Sequence, residues 1–312
     1  MFIENAMTAA GQVAVLYIIV AVGCLADKVK FFTEKTAKQC TNLLFYIITP
    51  AVIVKSFLEI EYDKQTVRGF FIALGCGMLL HTVAIAINTP FFRKGDCTKN
   101  SVLKFAAVYG NCGYMALPLA NAVIGAKGVF YCSTVIISFQ IFVFTHGVFI
   151  MDNEQGKRKK LNYKKIILNP GVLSVSVGLP LFLLGVKLPE LVFEPIKYIA
   201  SMNTPLAMLI FGTYLANTDF KSGLKEKRIL LSAFLKLIAL PLIMILFFKL
   251  FGIRGDLLTA LIISASAPSA NNTVIYTAKF NNDTSLAAQT VATISFISII
   301  TMPLMIAFSQ AL

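Results

Sequence analysis

Apolar residues fall in ten long stretches separated by short polar connections: 9–27, 37–58, 67–92, 102–124, 127–151, 166–186, 192–216, 228–251, 256–279 and 284–309. A helix needs roughly 20 apolar residues to cross the hydrocarbon of a bilayer. In lipid every backbone polar group must be satisfied internally, which leaves helices or closed barrels. Barrel strands would alternate apolar and polar residues, and these stretches do not. Only 14% of the residues are charged, against roughly 25% in soluble proteins, too few to cover a water-facing globule. The chain therefore reads as an all-α membrane protein of ten transmembrane helices. Its start, MFIENAMTAAGQ, carries an acid and no basic residue. A cleaved signal peptide would need a basic n-region, so the first span is expected to be retained.

The net charge of +13 could suggest nucleic acid, but its placement argues otherwise. Nineteen Lys and Arg lie in the connections after segments 1, 3, 5, 7 and 9, and six in those after 2, 4, 6 and 8. Basic residues mark the cytoplasmic side. The reading is a multi-pass protein of the cell membrane with both termini extracytoplasmic and no nucleic-acid partner. Residues 152–165 form a cytoplasmic linker between a first repeat, 1–151, and a second, 166–312. Thr49-Pro50 recurs as Thr204-Pro205 after 155 residues, and Ile137-Ser138-Phe139 as Ile294-Ser295-Phe296 after 157. Five helices per half is an odd number, so the second half runs inverted relative to the first.

Two segments, at matching places in the two halves, contain breaks. Gly110 and Gly113 loosen the first, and Pro118 removes a backbone donor. The second, Ser264 to Thr273, holds Pro268. Unwound backbone at membrane depth is tolerated only where it is buried in protein or lines a cavity. Paired interruptions of this kind point to a secondary transporter's binding site. Each half-helix N-terminus offers free N–H groups and a partial positive charge to an anion. The donors expected here are the amides of Gly113 to Ala116 and of Ser269 to Thr273, with the side chains of Asn111, Asn271 and Asn272 and the hydroxyls of Ser264, Ser266, Ser269 and Thr273. The substrate-binding set is Asn111, Cys112, Gly113, Tyr114, Pro118, Ser266, Pro268, Ser269, Asn271 and Asn272.

No Asp or Glu falls in the middle of a segment, which argues against a carboxylate-driven antiporter. His81 and Lys236 lie 155 residues apart and are near pseudo-equivalents. Either could hold an anion or titrate. The plainer reading makes His81 a satisfied interior histidine and lets Lys236 snorkel to the cytoplasmic edge. His146 and Lys55 read as segment-end residues. The six cysteines show no CxxC pair or metal-ligand spacing, so no metal or cofactor is expected. Nucleotide loops and hydrolase motifs are absent from the sequence, so the chain is not read as an enzyme.

Gly110-Asn111-Cys112-Gly113-Tyr114-Met115-Ala116-Leu117-Pro118-Leu119 resembles the GNxGxxxxPL break of the auxin efflux carrier family, which includes the plant PIN carriers and bacterial malate and malonate permeases. Ala267-Pro268-Ser269-Ala270-Asn271-Asn272 is similar to that family's PxAxN stretch, ahead of a helix ending in Ala278-Lys279. The resemblance spans nearly the whole chain. It implies two inverted five-helix repeats with helices 4 and 9 broken and crossing. Helices 1, 2, 6 and 7 would form a scaffold, with a homodimer contact, and helices 3–5 and 8–10 a moving transport domain. A small organic anion such as an auxin-like acid, malate or malonate would bind at the crossing, with Asn111 on its carboxylate. The short linker here favours a prokaryotic-type member. A sodium- or proton-coupled antiporter of the same fold, or a passive anion channel, remain the alternatives.

Overall fold

The computed structural model describes residues 2–151, 168–217 and 220–311; the linker 152–165 lies outside them. The described chain is helical: α1 (Phe2–Lys28), α2 (Glu34–Glu59), α3 (Lys64–Phe91), α4a (Cys97–Val108), α4b (Cys112–Val123), α5 (Ala126–Met151), α6 (Pro170–Leu183), α7 (Glu190–Ala216), α8 (Lys227–Leu250), α9a (Gly255–Ser266), α9b (Asn272–Lys279) and α10 (Thr284–Ala311). Among the described residues six helices, α2, α3, α5, α7, α8 and α10, are long and apolar enough to cross a membrane. Polar first turns extend several helices beyond their apolar segments. The fourth begins at Cys97 rather than 102 because Asp96 Oδ1 accepts from the amides of Thr98 and Lys99 at 2.9 and 3.3 Å. Asp63 caps α3 in the same way, accepting from the Thr66 amide at 2.8 Å.

Four π-helical turns interrupt the α-helical winding, at Leu44–Ile48, Cys112–Ala116, Val143–Gly147 and Leu235–Ala239. Three of them stop two residues before a proline: Pro50, Pro118 and Pro241. A proline ring collides with the carbonyl four residues back. That carbonyl belongs in each case to the π turn, whose wider ring makes room for it.

Small residues let the helices touch backbone to backbone. A side chain at Gly23 would overlap the backbone of Leu209, and one at Gly212 the backbone of Val20. Cys24 Sγ there donates to Gly212 O at 3.0 Å, tying α1 to α7. Phe57, Phe70, Phe130 and Phe182 pack at steep ring angles in one cluster, with centroids 4.7 to 6.3 Å apart, and join α2, α3, α5 and α6. Outside this core, Val15, Ile18, Val22 and Leu25 expose an apolar stripe on α1, the face a lipid-embedded helix needs.

Candidate functional site: the crossing of two broken helices

α4a stops at Val108 because Tyr109 takes extended backbone angles (φ −96°, ψ 110°). α9a stops at Ser266 because Ala267 does likewise (φ −57°, ψ 136°). The two extended pieces pair as an antiparallel bridge between Gly110 and Ser269. Asn111 N donates to Pro268 O at 2.7 Å, and Ala270 N donates to Tyr109 O at 2.9 Å. Ser269 Oγ donates to Ala106 O at 2.6 Å, filling a carbonyl at the end of α4a. Three hydrogen bonds between the breaks thus satisfy part of the backbone that unwinding frees.

Both helices then restart. Asn111 caps α4b: its Oδ1 accepts from Tyr114 N at 3.1 Å, and its backbone O from Met115 N and Ala116 N at 3.3 and 3.2 Å. In α9b, Thr273 N donates to Ala270 O at 2.9 Å, and Val274 N and Ile275 N donate to Asn271 O at 3.1 and 3.3 Å. This corrects the expectation of two free rows of amides. At the restarts, among the described residues, the amides of Gly113, Ser269, Asn271 and Asn272 make no hydrogen bond to protein. With its Oδ1 engaged, Asn111 keeps its side-chain NH₂ for a ligand. Thr273 Oγ1 is a buried hydroxyl oxygen without a partner.

A cavity of about 600 Å³ opens beside the crossing and reaches the start of α6, a size suited to a small-molecule ligand. Of the substrate-binding set expected from the sequence, Asn111, Cys112, Gly113, Tyr114, Asn271 and Asn272 line it. Pro118, Ser266, Pro268 and Ser269 do not border it. Their contacts lie within the protein: Ser266 Oγ donates to Ile262 O at 2.7 Å, Pro268 O and Ser269 Oγ take part in the joining of the two breaks, and buried Pro118 follows the π turn. Ser264 Oγ likewise bonds its own helix, at Ala260 O.

Other walls come from residues to which the sequence reading gave no site role, among them Phe45, Tyr46 and Thr49 of α2, Phe139, Gln140 and Phe144 of α5, and Asn169 before α6. Gln140 carried a readable signal, since a buried amide in the middle of an apolar segment needs a reason. The aromatic walls carried none, because Phe also stands on exposed outer faces, as at Phe71 and Phe149.

Lys236 corrects a second expectation. It does not snorkel: it is 2% exposed and its Nζ donates to Ala265 O at 3.2 Å, at the end of α9a. His81 is a satisfied interior histidine as expected, with Nδ1 2.8 Å from Gly77 O and its ring stacked on Phe142. His146 Nδ1 pairs with the buried Tyr109 hydroxyl at 3.0 Å. Lys55 forms an ion pair with Glu59 at 3.1 Å, one helical turn away.

A family model described as "Membrane transport protein" matches residues 8–165 and 158–306. The chain is 25% identical to an uncharacterized transporter of Methanocaldococcus jannaschii, over 89% of this chain and 92% of the relative. It is 22% identical to a protein of Rhizobium meliloti named provisionally as a malonate transporter, over 93% and 92% of the two chains. It is also 22% identical to an uncharacterized transporter of Escherichia coli K12, over 96% and 97%.

Proposed function

The chain belongs to the membrane transport protein family, the auxin-efflux-carrier-like group, and from that premise we propose that it is a secondary transporter moving a small organic anion by alternating access. One observation carries this reading. Two half-helices restart side by side at a cavity, and their free amides at Gly113, Asn271 and Asn272 sit with the Asn111 side chain on its wall. Each restart carries roughly half a positive charge from its macrodipole. Among the described lining residues none is acidic. Amide donors and dipoles without carboxylates suit a carboxylate, and the rings of Phe45, Tyr46 and Phe144 suit its apolar body. The provisional malonate assignment of the Rhizobium relative agrees with this class.

The same reading gives the parts their motions. Helices α1, α2, α6 and α7 form the scaffold, and α3–α5 and α8–α10 the transport domain, arranged as two inverted repeats of five helices. The antiparallel pairing of the two breaks supports the inversion. So does the contact of Thr49 Oγ1 with Asn203 Oδ1 at 3.4 Å, which brings the two Thr-Pro sites of α2 and α7 together. The cavity has walls from both domains, so rocking one against the other changes which side it faces. With basic connections inside and both termini outside the cell membrane, its opening beside α6 is cytoplasmic.

A thermal-unfolding screen of the purified protein against malonate, malate and indole-3-acetate tests the proposal. A bound acid at a hundred times its Kd adds about 2.7 kcal/mol of stability. Stabilisation by sodium or by a pH step with no acid effective would favour the coupled antiporter; ion currents far above carrier turnover would favour a channel.

A further inference from the structure

Lys236 sits in the π turn Leu235–Ala239 of α8 and is almost wholly buried. Its ammonium donates to Ala265 O at 3.2 Å. A Cβ built on Gly110 would lie 2.8 Å from that Nζ and 3.2 Å from Ala267 O. The charge therefore occupies a slot between the backbone of Gly110 and the last carbonyls of α9a. Gly110 borders the cavity and Lys236 does not, so the ammonium stands one backbone behind the cavity wall. Among the described residues no carboxylate forms an ion pair with it. Its counter-charge is the C-terminal end of α9a, worth roughly half a negative charge.

Unwound carbonyls and C-terminal half-helix ends at such breaks are where transporters hold their coupling cations. An ammonium with three donors can satisfy carbonyls of that kind from within the chain. We propose that Lys236 is a tethered cation: it fills the carbonyl site at the end of α9a, so that the protein binds its organic anion without sodium or another alkali ion. This rests on the organic-anion reading and narrows it. It also explains why Gly110 must be small, since a side chain there would push the ammonium out of its slot. The pseudo-equivalent residue on α3, His81, bonds its own helix at Gly77 O and leaves α4a without such a partner, so the arrangement supplies one positive charge rather than two.

The test uses the full-length purified protein and the same three acids. Binding is measured by thermal stabilisation in choline chloride, then with sodium or potassium chloride replacing choline at constant ionic strength. For whichever acid binds, wild-type affinity should change less than twofold. Lys236→Met should lower affinity at least tenfold in choline. Lys236→Ala should recover at least threefold of its loss when sodium or methylammonium is added. A tenfold gain in wild-type affinity on adding sodium overturns the proposal, as does Lys236→Met with unaltered affinity. Should the variants fail to fold, the wild-type cation series decides alone. Stabilisation by none of the acids would sink the functional reading and this inference with it; sodium-dependent binding would sink this inference only.

Discussion

The breaks in α4 and α9 occupy matching places in the chain, share a backbone bridge, and are built differently. α4 restarts through a π turn under a side-chain cap, with Asn111 Oδ1 on Tyr114 N. α9b restarts directly as an α-helix, and Asn271 at its N-cap makes no side-chain cap bond. Their C-terminal ends differ in the opposite sense. Neutral donors fill the end of α4a, namely Ser269 Oγ on Ala106 O and Ala270 N on Tyr109 O. A lysine ammonium fills the end of α9a. The two breaks share one antiparallel bridge, while charge and capping are one-sided. The α4 restart is capped by its own asparagine and the α9 restart is not, while both border the cavity.

The largest expected effect tests the joint. Gly110→Val places branched carbon against the Lys236 ammonium and Ala267 O and should cost about 1–3 kcal/mol of stability by overpacking. Gly110→Ala should cost less, because the first atom it meets is the end of a flexible side chain. Denaturation midpoints of both variants check the order. Asn111 and Asn271 separate fastening from binding. Asn111→Ala removes the cap and should lose about 1 kcal/mol of stability, together with at least tenfold in ligand affinity, ~1.4 kcal/mol. Asn271→Ala should lose affinity while keeping its unfolding temperature. Equal stability losses in the two variants would erase the distinction between the breaks.

Thr273→Val should be smaller still. It removes a buried hydroxyl that has no partner in the protein, so stability should hold or rise by less than about 1 kcal/mol. A fall in ligand affinity at unchanged stability would place the hydroxyl on the ligand. Asp63, outside the bilayer and away from both breaks, gives the baseline. The Thr66 hydroxyl, and then the Thr66 amide, hold its carboxyl below the usual carboxylate range. A depressed carboxyl stabilises above its unfolded pKa of about 3.9 and loses that contribution as pH falls through the folded value. The unfolding temperatures of wild type and Asp63→Asn should differ at neutral pH and converge below about pH 4.

The helical segments and the two breaks were legible because each is written locally, in apolar runs of spanning length and in Gly, Asn and Pro where lipid disfavours them. Asn111 and Asn271 were legible for the same reason. The pairing of Asn111 with Pro268 was not, since it joins residues 157 positions apart through backbone groups that any residue carries. Nor was the capping of α4b by Asn111 Oδ1 and O, which engages the amides of Tyr114, Met115 and Ala116. Lys236 was misplaced because a long basic side chain near a segment's start was read as snorkelling to the edge, and nothing local in the sequence marks the Ala265 carbonyl, 29 residues on, that it meets instead. Gln140 was legible in principle, as an amide in mid-segment; the aromatic walls from α2 and α5 needed the tertiary packing.

The central claim is that a carboxylate sits where α4b and α9b restart. The most direct test is an anomalous-difference map of the protein crystallised with a bromine-substituted form of the tightest-binding acid. The account predicts a bromine peak in the 600 Å³ cavity, with the carboxylate against the Asn111 side-chain amide and the backbone N–H groups of Asn271 and Asn272. A peak outside that cavity, or density showing α4 or α9 running unbroken through the crossing, would contradict it.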